Sequence, residues 1–199
     1  MTGDAAVAFA FTAEEVALLG RTPLHGGRPG PLDRAIVSEL LAAVDCSHLA
    51  ARVFATLSTG ERQRVQLARV VAQLAGAGEG EGAGALSTDA ARYLLLDEPT
   101  SSLDPAHQHL AMGLLREQAR SGVGVLAVLH DLNLAAGYAD RIALLKAARI
   151  VAVGPPADIL HPELLEQVFD TPMLVLTHPA VAHPIVVAER RESDRPPEA

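Results

Sequence analysis

The chain has 199 residues, 49% of them hydrophobic and 20% charged, which excludes a disordered chain and suits one well-cored domain with room for a small lobe. The net charge of −8 excludes broad nucleic-acid binding, which needs a positive surface to displace counterions from phosphates, but allows a nucleotide held with Mg²⁺. The one cysteine, Cys46, can form no disulfide within the chain, in keeping with a reducing cytosol and a core position. No apolar run reaches bilayer-spanning length and no secretory leader is expected, so membrane association is expected only through a partner.

Met1–Phe11 has no clear period. Thr12 and Glu15 have capping-box spacing and predict a short helix from Ala13 to Leu19 that stops at Gly20. Residues 21–31, with three prolines and three glycines, predict a loop. Ile36, Val37, Leu40, Leu41 and Val44 form the apolar stripe of a helix over Leu32–Asp45. Another helix opens at Ser58 and runs to about Leu74. The Gly-rich residues 75–92 read as an insertion and linker. Then the pattern changes. Tyr93–Leu96 and Val123–Leu129 suit buried strands, Ala106–Arg120 and Leu132–Ala139 suit helices, and Ile142–Leu145 with Ile150–Val153 suit two strands around a turn. This alternation predicts an α/β domain with a mostly parallel sheet over residues 93–188, after a helical subdomain over residues 1–74. Residues 189–199 are expected to be a disordered tail.

Four short segments could carry chemistry. Tyr93–Pro99 delivers Asp97 and Glu98 to the C-terminal end of a strand, where ligands sit in open parallel sheets. One carboxylate could hold Mg²⁺, and the next residue, pointing the other way, could polarise a water. The same run also reads as an acidic turn. Ser58, Gly60 and Glu61 open a helix whose free N–H groups and dipole suit a phosphate, with Gly60 allowing close approach, or form an ordinary cap. His130 follows a strand and could meet a phosphate oxygen, or be structural. Asp104 and Pro105 read as a helix cap and its first residue. His107 and His109 are two apart and do not share a helix face, and no metal-site spacing is present.

Order and spacing decide among these readings. Leu57–Arg69 (LSTGERQRVQLAR) resembles the signature motif of ABC ATPases, Tyr93–Asp104 (YLLLDEPTSSLD) resembles their Walker B strand with catalytic glutamate and D-loop, and Val125–Leu145 resembles their H-loop segment. All three stand in family order, over Phe11 to about Val187. FTAEEVALLGRTPLHGG, HDLNLAAGYADRIALL and ELLEQVFDTPMLVLTHP are similar to ATP-binding subunits of haem (hemin) importers, near those of iron–siderophore and cobalamin importers.

The resemblance implies a partial P-loop NTPase-like core and an ATP- and Mg²⁺-dependent energy-coupling ATPase, peripheral on the cytoplasmic face of the membrane. Asp97 would order Mg²⁺, Glu98 would act as general base, and His130 would contact the γ-phosphate. Ser58, Gly60 and Glu61 would close over ATP bound to a second ATP-binding subunit, with Asp104 at that homodimer interface. Transmembrane permease subunits would be direct partners, a periplasmic or surface substrate-binding protein an indirect one, and nucleic acid none. An ABC ATPase of DNA maintenance is disfavoured by the negative charge and the lack of a long coiled coil.

Two departures stand out. No Gly-Lys pair exists and the only lysine is Lys146, so the Walker A loop is missing, as is the Q-loop glutamine. The resemblance therefore implies an N-terminally truncated ATPase, or alternatively a non-catalytic interaction protein, and a remaining sheet with exposed edges. The signature also reads Ser-Thr-Gly where the family has Ser-Gly-Gly, and Thr59 adds a β-branched side chain near the phosphate.

Overall fold

The computed structural model describes residues 10–25, 28–75 and 91–189. The expectations for the Gly-rich stretch and the C-terminal tail lie almost wholly outside the described residues. The chain divides into two compact units, Met1–Val128 and Leu129–Ala199.

In the first unit, α1 (Ala13–Leu18) starts at the expected capping box: the Thr12 N–H donates to Glu15 Oε2 at 2.8 Å and the Glu15 N–H to Thr12 Oγ1 at 3.2 Å. Gly20 does not stop the helix. A 3₁₀ turn (Leu19–Arg21) continues into α2 (Thr22–His25), where a loop was expected; Pro23 is tolerated in a first helical turn. Gly20 serves packing instead, since a Cβ there would lie 2.0 Å from the Arg69 carbonyl oxygen. α3 (Pro31–Ala43) begins with proline and buries Val37 and Leu41. Beyond it Cys46 is fully buried, and burial pushes its thiol up to about 11, so it is a core residue and not a reactive one. α4 (Thr59–Ala72) buries Val65, Leu67, Ala68, Val71 and Ala72 and packs on α1 and α3.

Two buried arginines hold these helices together. Arg21 Nε donates to Asp33 Oδ1 at 2.9 Å, and its Nη1 donates to the Ala72 carbonyl at 2.8 Å and to that of Ala75. The other Asp33 oxygen accepts the Gly30 N–H at the start of α3, at 2.8 Å. Arg64, on α4, donates to the carbonyls of Val44 and Asp45 at 3.0 and 2.9 Å. Each guanidinium satisfies the carbonyls that a helix end leaves open.

β1 (Arg92–Asp97) and β2 (Val123–Val128) pair in parallel, joined by α5 (Pro105–Arg120). Leu94 and Val123 are buried, with α5 packed on β2. The opposite face carries Tyr93, Leu95, Leu126 and Val128, 51–71% exposed. Among the described strands β1 pairs only with β2, so this sheet has the exposed edges expected of it.

The second unit starts with α6 (Leu132–Tyr138), capped by Asp131, whose Oδ1 accepts the N–H groups of Asn133 and Leu134. β3 (Ile142–Lys146) and β4 (Arg149–Gly154) form the expected pair around a tight turn, with Ala147 and Ala148 both at positive φ. α7 (Pro156–Ile159), α8 (Pro162–Phe169) and a second antiparallel pair, β5 (Met173–His178) with β6 (Val181–Ala188), follow. Among the described strands parallel pairing is therefore confined to β1 and β2, and the other two sheets are antiparallel hairpins. Leu144, Ile159, Leu160, Leu165, Val168 and Val186 form this unit's core. The Asn133 amide bonds both backbone groups of Val186, fixing α6 to β6.

The Arg21–Asp33 pair is buried, whereas Arg34–Glu14 is open to solvent. Asp33→Ala leaves a buried cation without its partner and is expected to cost about 3–5 kcal/mol in a denaturant titration. Arg34→Ala should cost less than about 1 kcal/mol in the same assay.

Candidate functional site

The first unit brings together six of the seven predicted site residues on two elements: the N-terminus of α4 and the loop between β1 and α5. Ser58 is the N-cap of α4. Its Oγ accepts the Glu61 N–H at 3.3 Å, and the Glu61 carboxylate accepts the Ser58 N–H at 2.7 Å. That backbone N–H, followed by the Ser58 hydroxyl, holds the Glu61 carboxyl below its ordinary range. Arg52 approaches the same carboxylate at 3.8 Å. Thr59 is exposed and Arg62 donates to its hydroxyl at 3.4 Å.

Gly60 has a second role that the sequence does not announce. A Cβ there would lie 2.9 Å from the Ser102 carbonyl oxygen. The glycine therefore seats α4 against the loop after β1.

Asp97 is the last residue of β1, exposed, on the same side of the strand as Tyr93 and Leu95. The strand alternation stops there. Glu98 has φ +46, a left-handed backbone unusual for any residue but glycine, so the direction of its side chain is set by a turn and not by the pleat. Its N–H still donates to the Val128 carbonyl at 3.1 Å. Its own carbonyl accepts Gln63 Nε2 at 2.9 Å, the Ser101 hydroxyl at 3.2 Å and the Ser101 N–H at 3.3 Å. Pro99 and Thr100 are buried beneath this turn.

Asp104 caps α5, as its spacing to Pro105 predicted. Oδ1 accepts the His107 N–H at 3.0 Å and Oδ2 meets His107 Nδ1 at 2.7 Å. The backbone N–H, then the imidazole, hold its carboxyl below the ordinary range. The other ring nitrogen of His107 faces Asp45 Oδ2 at 3.4 Å, and Arg64 approaches the same oxygen. The imidazole thus joins the cap of α5 to the segment after α3.

His130 belongs to the second unit, just ahead of Asp131 and α6. Among the described residues no group of three or more His, Cys, Asp or Glu side chains could hold a metal ion. Asp97 offers an exposed, hard carboxylate oxygen at the strand end. Gln63, Ser102, Asp45 and His107 were not anticipated as site residues. Their contacts link positions 35 to 62 residues apart, and only the Asp104 to His107 spacing, that of a cap to its third helical residue, carried a local signal.

The chain is 49% identical over 184 residues to the hemin import ATP-binding protein HmuV of Gloeobacter violaceus, an overlap of 92% of this chain and 64% of that protein. To the protein of the same name from Myxococcus xanthus it is 49% identical over 188 residues, 94% of this chain and 67% of the relative. The chain belongs to the family of hemin import ATP-binding proteins. It spans about two thirds of the length of these relatives. No protein-family model matches it. Its fold is that of an ABC cassette: an inward-facing structure of a metal-chelate type ABC transporter superposes with a TM-score of 0.71 at 26% identity, over 92% of this chain and 69% of that one.

In this member of the family Gly60 and Gly113 give opposite expectations. Glycine inside a helix usually costs about 0.5–1 kcal/mol against alanine. Gly113, in α5, has open space around its Cβ position. Gly113→Ala is expected to raise the thermal midpoint, whereas Gly60→Ala is expected to lower it, because α4 or the Ser102 backbone must move.

Proposed function

We propose that the chain supplies the signature and hydrolytic surfaces of an ATP-binding, energy-coupling subunit of an ABC importer, with hemin as the cargo. One observation carries the reading. In a chain of this family, the capped, glycine-bearing end of α4 and the strand end with Asp97 and Glu98 are packed against each other in one unit.

The donor set fits Mg²⁺-ATP. Asp97 offers an exposed carboxylate for the ion, which neutralises phosphate charge when bound. Glu98, the next residue, is the general base that takes a proton from the attacking water. The Ser58 hydroxyl accepts from within its cap, which leaves its own hydrogen for a phosphate oxygen. The open N–H groups of the first turn of α4 add to this, and Glu61 keeps that turn rigid. His130 contacts the γ-phosphate. Ser58, Gly60 and Glu61 act on ATP held by a second copy, with Asp104 at the interface between copies. Closure of the pair on ATP and its reopening after hydrolysis would move permease subunits that receive cargo from a substrate-binding protein. Among the described residues no helix is long and apolar enough to cross a membrane, and a peripheral place on the cytoplasmic face suits this reading.

These 199 residues hold no Gly-Lys pair, so the lysine and amide cradle for the β- and γ-phosphates lie outside them. The experiment is to mix the purified chain with the full-length hemin import ATP-binding protein of Myxococcus xanthus and follow association by sedimentation, with and without Mg²⁺-ATP. Association that needs ATP and is lost in Ser58→Arg is expected, with no turnover by the chain by itself. Failure to associate under any condition would contradict the reading of Ser58–Glu61. Magnesium-dependent turnover by the chain alone, abolished in Glu98→Gln, would contradict the division of labour.

A further inference from the structure

We infer that Gln63 is a positioning residue: its side-chain amide holds the Glu98 turn in place and locks that turn to the helix that begins at Ser58. The amide spans the loop. Nε2 donates to the Glu98 carbonyl at 2.9 Å, and Oε1 accepts the Ser102 hydroxyl at 3.3 Å. It therefore engages the loop at two points, using the amide's donor on one and its acceptor on the other.

Three features make the contact more than incidental. Glu98 sits in left-handed backbone, a conformation that persists in a non-glycine residue only where its surroundings fix it. The Glu98 carbonyl is the point on which that turn is organised, taking donors from Ser101 as well as Gln63. Gln63 is the one of these donors that comes from another element. Beside it, the absent side chain of Gly60 lets the Ser102 carbonyl come close to α4. Donor, acceptor and close backbone approach thus act between the same helix turn and the same loop.

The consequence is that α4 and the Glu98 turn move together. A displacement of the signature end of α4 is passed to Glu98 through Gln63, within one chain and without nucleotide. The contact stands without any assigned activity; its consequence for hydrolysis rests on the reading of Glu98 as general base.

Hydrogen exchange of the 199-residue chain, read by mass spectrometry without nucleotide, tests the contact independently of that reading. In Gln63→Ala, amides 100–104 are expected to exchange about five-fold faster, the factor that matches the net contribution of one hydrogen bond. Amides 173–188, in the second unit, serve as the reference and should not change. Gln63→Glu separates positioning from packing. It keeps the length and volume of the side chain and the acceptor for Ser102, but sets a carboxylate oxygen against the Glu98 carbonyl. It should speed exchange of 100–104 at least as much as Gln63→Ala. Wild-type exchange of this loop in Gln63→Glu would overturn the inference, and it decides the matter even if Gln63→Ala loosens the whole chain. ATP-dependent association that fails while the loop exchanges as expected would count against the proposed function and leave the role of Gln63 standing.

Discussion

The feature on which the site depends is the backbone of Glu98. A parallel strand can deliver a carboxylate to its C-terminal end simply by alternation, and β1 does so for Asp97. The next residue cannot continue the strand, because its φ of +46 turns the chain into Pro99 and Thr100, both buried. Such a backbone costs a non-glycine residue roughly 1–2 kcal/mol and has to be held from outside. It is held from two sides: the Val128 carbonyl takes the Glu98 N–H, and the Gln63 amide takes part of its C=O. The position of the second carboxylate is therefore a property of β2 and α4 as much as of its own segment.

α4 can do this because it is fixed along its length. Its apolar face packs on α1 and α3, Arg64 fastens it to the end of α3, and Arg21 closes its far end through the Ala72 carbonyl. At its start stand the small residues Ser58, Thr59 and Gly60, and at Gly60 the loop after β1 comes close. The last link, His107 between Asp104 and Asp45, ties the end of that loop to the same helical layer. Helices and loop are thus joined at four points, three of them side-chain hydrogen bonds and one a backbone approach that a Cβ would block.

Much of this was legible in the sequence, for local reasons. Capping boxes at Thr12 and Ser58, the cap at Asp104 and the apolar runs of β1 and β2 depend on neighbours within four residues, and each lies where its pattern predicts. The Asp97 and Glu98 pair and the Ser58–Glu61 turn could be named as chemistry only because they stood in the order of a known family. What was not legible is long-range. Gly20 read as a helix stop because glycine often is one, yet its reason is the Arg69 carbonyl, which no local pattern reveals. Pro172, Pro179 and Pro184 punctuate the segment that forms β5 and β6, and a proline within a strand normally argues against one; Pro184 is accommodated at the register shift between Leu176 and His178, where it has no partner in the ladder. Gln63 gave no signal beyond its type, since Glu98 and Ser102 lie on another element, and for His107 only the contact to its own cap Asp104 was local, not the one to Asp45.

The brace between α4 and the Glu98 loop is tested most directly by a double-mutant cycle on Gln63→Ala and Ser102→Ala, with unfolding of the first unit followed in denaturant. Contact through the Gln63 Oε1 and the Ser102 hydroxyl predicts a coupling energy of about 0.5–1 kcal/mol, with the double variant less destabilised than the sum of the two single ones. Strict additivity of the two substitutions would contradict it.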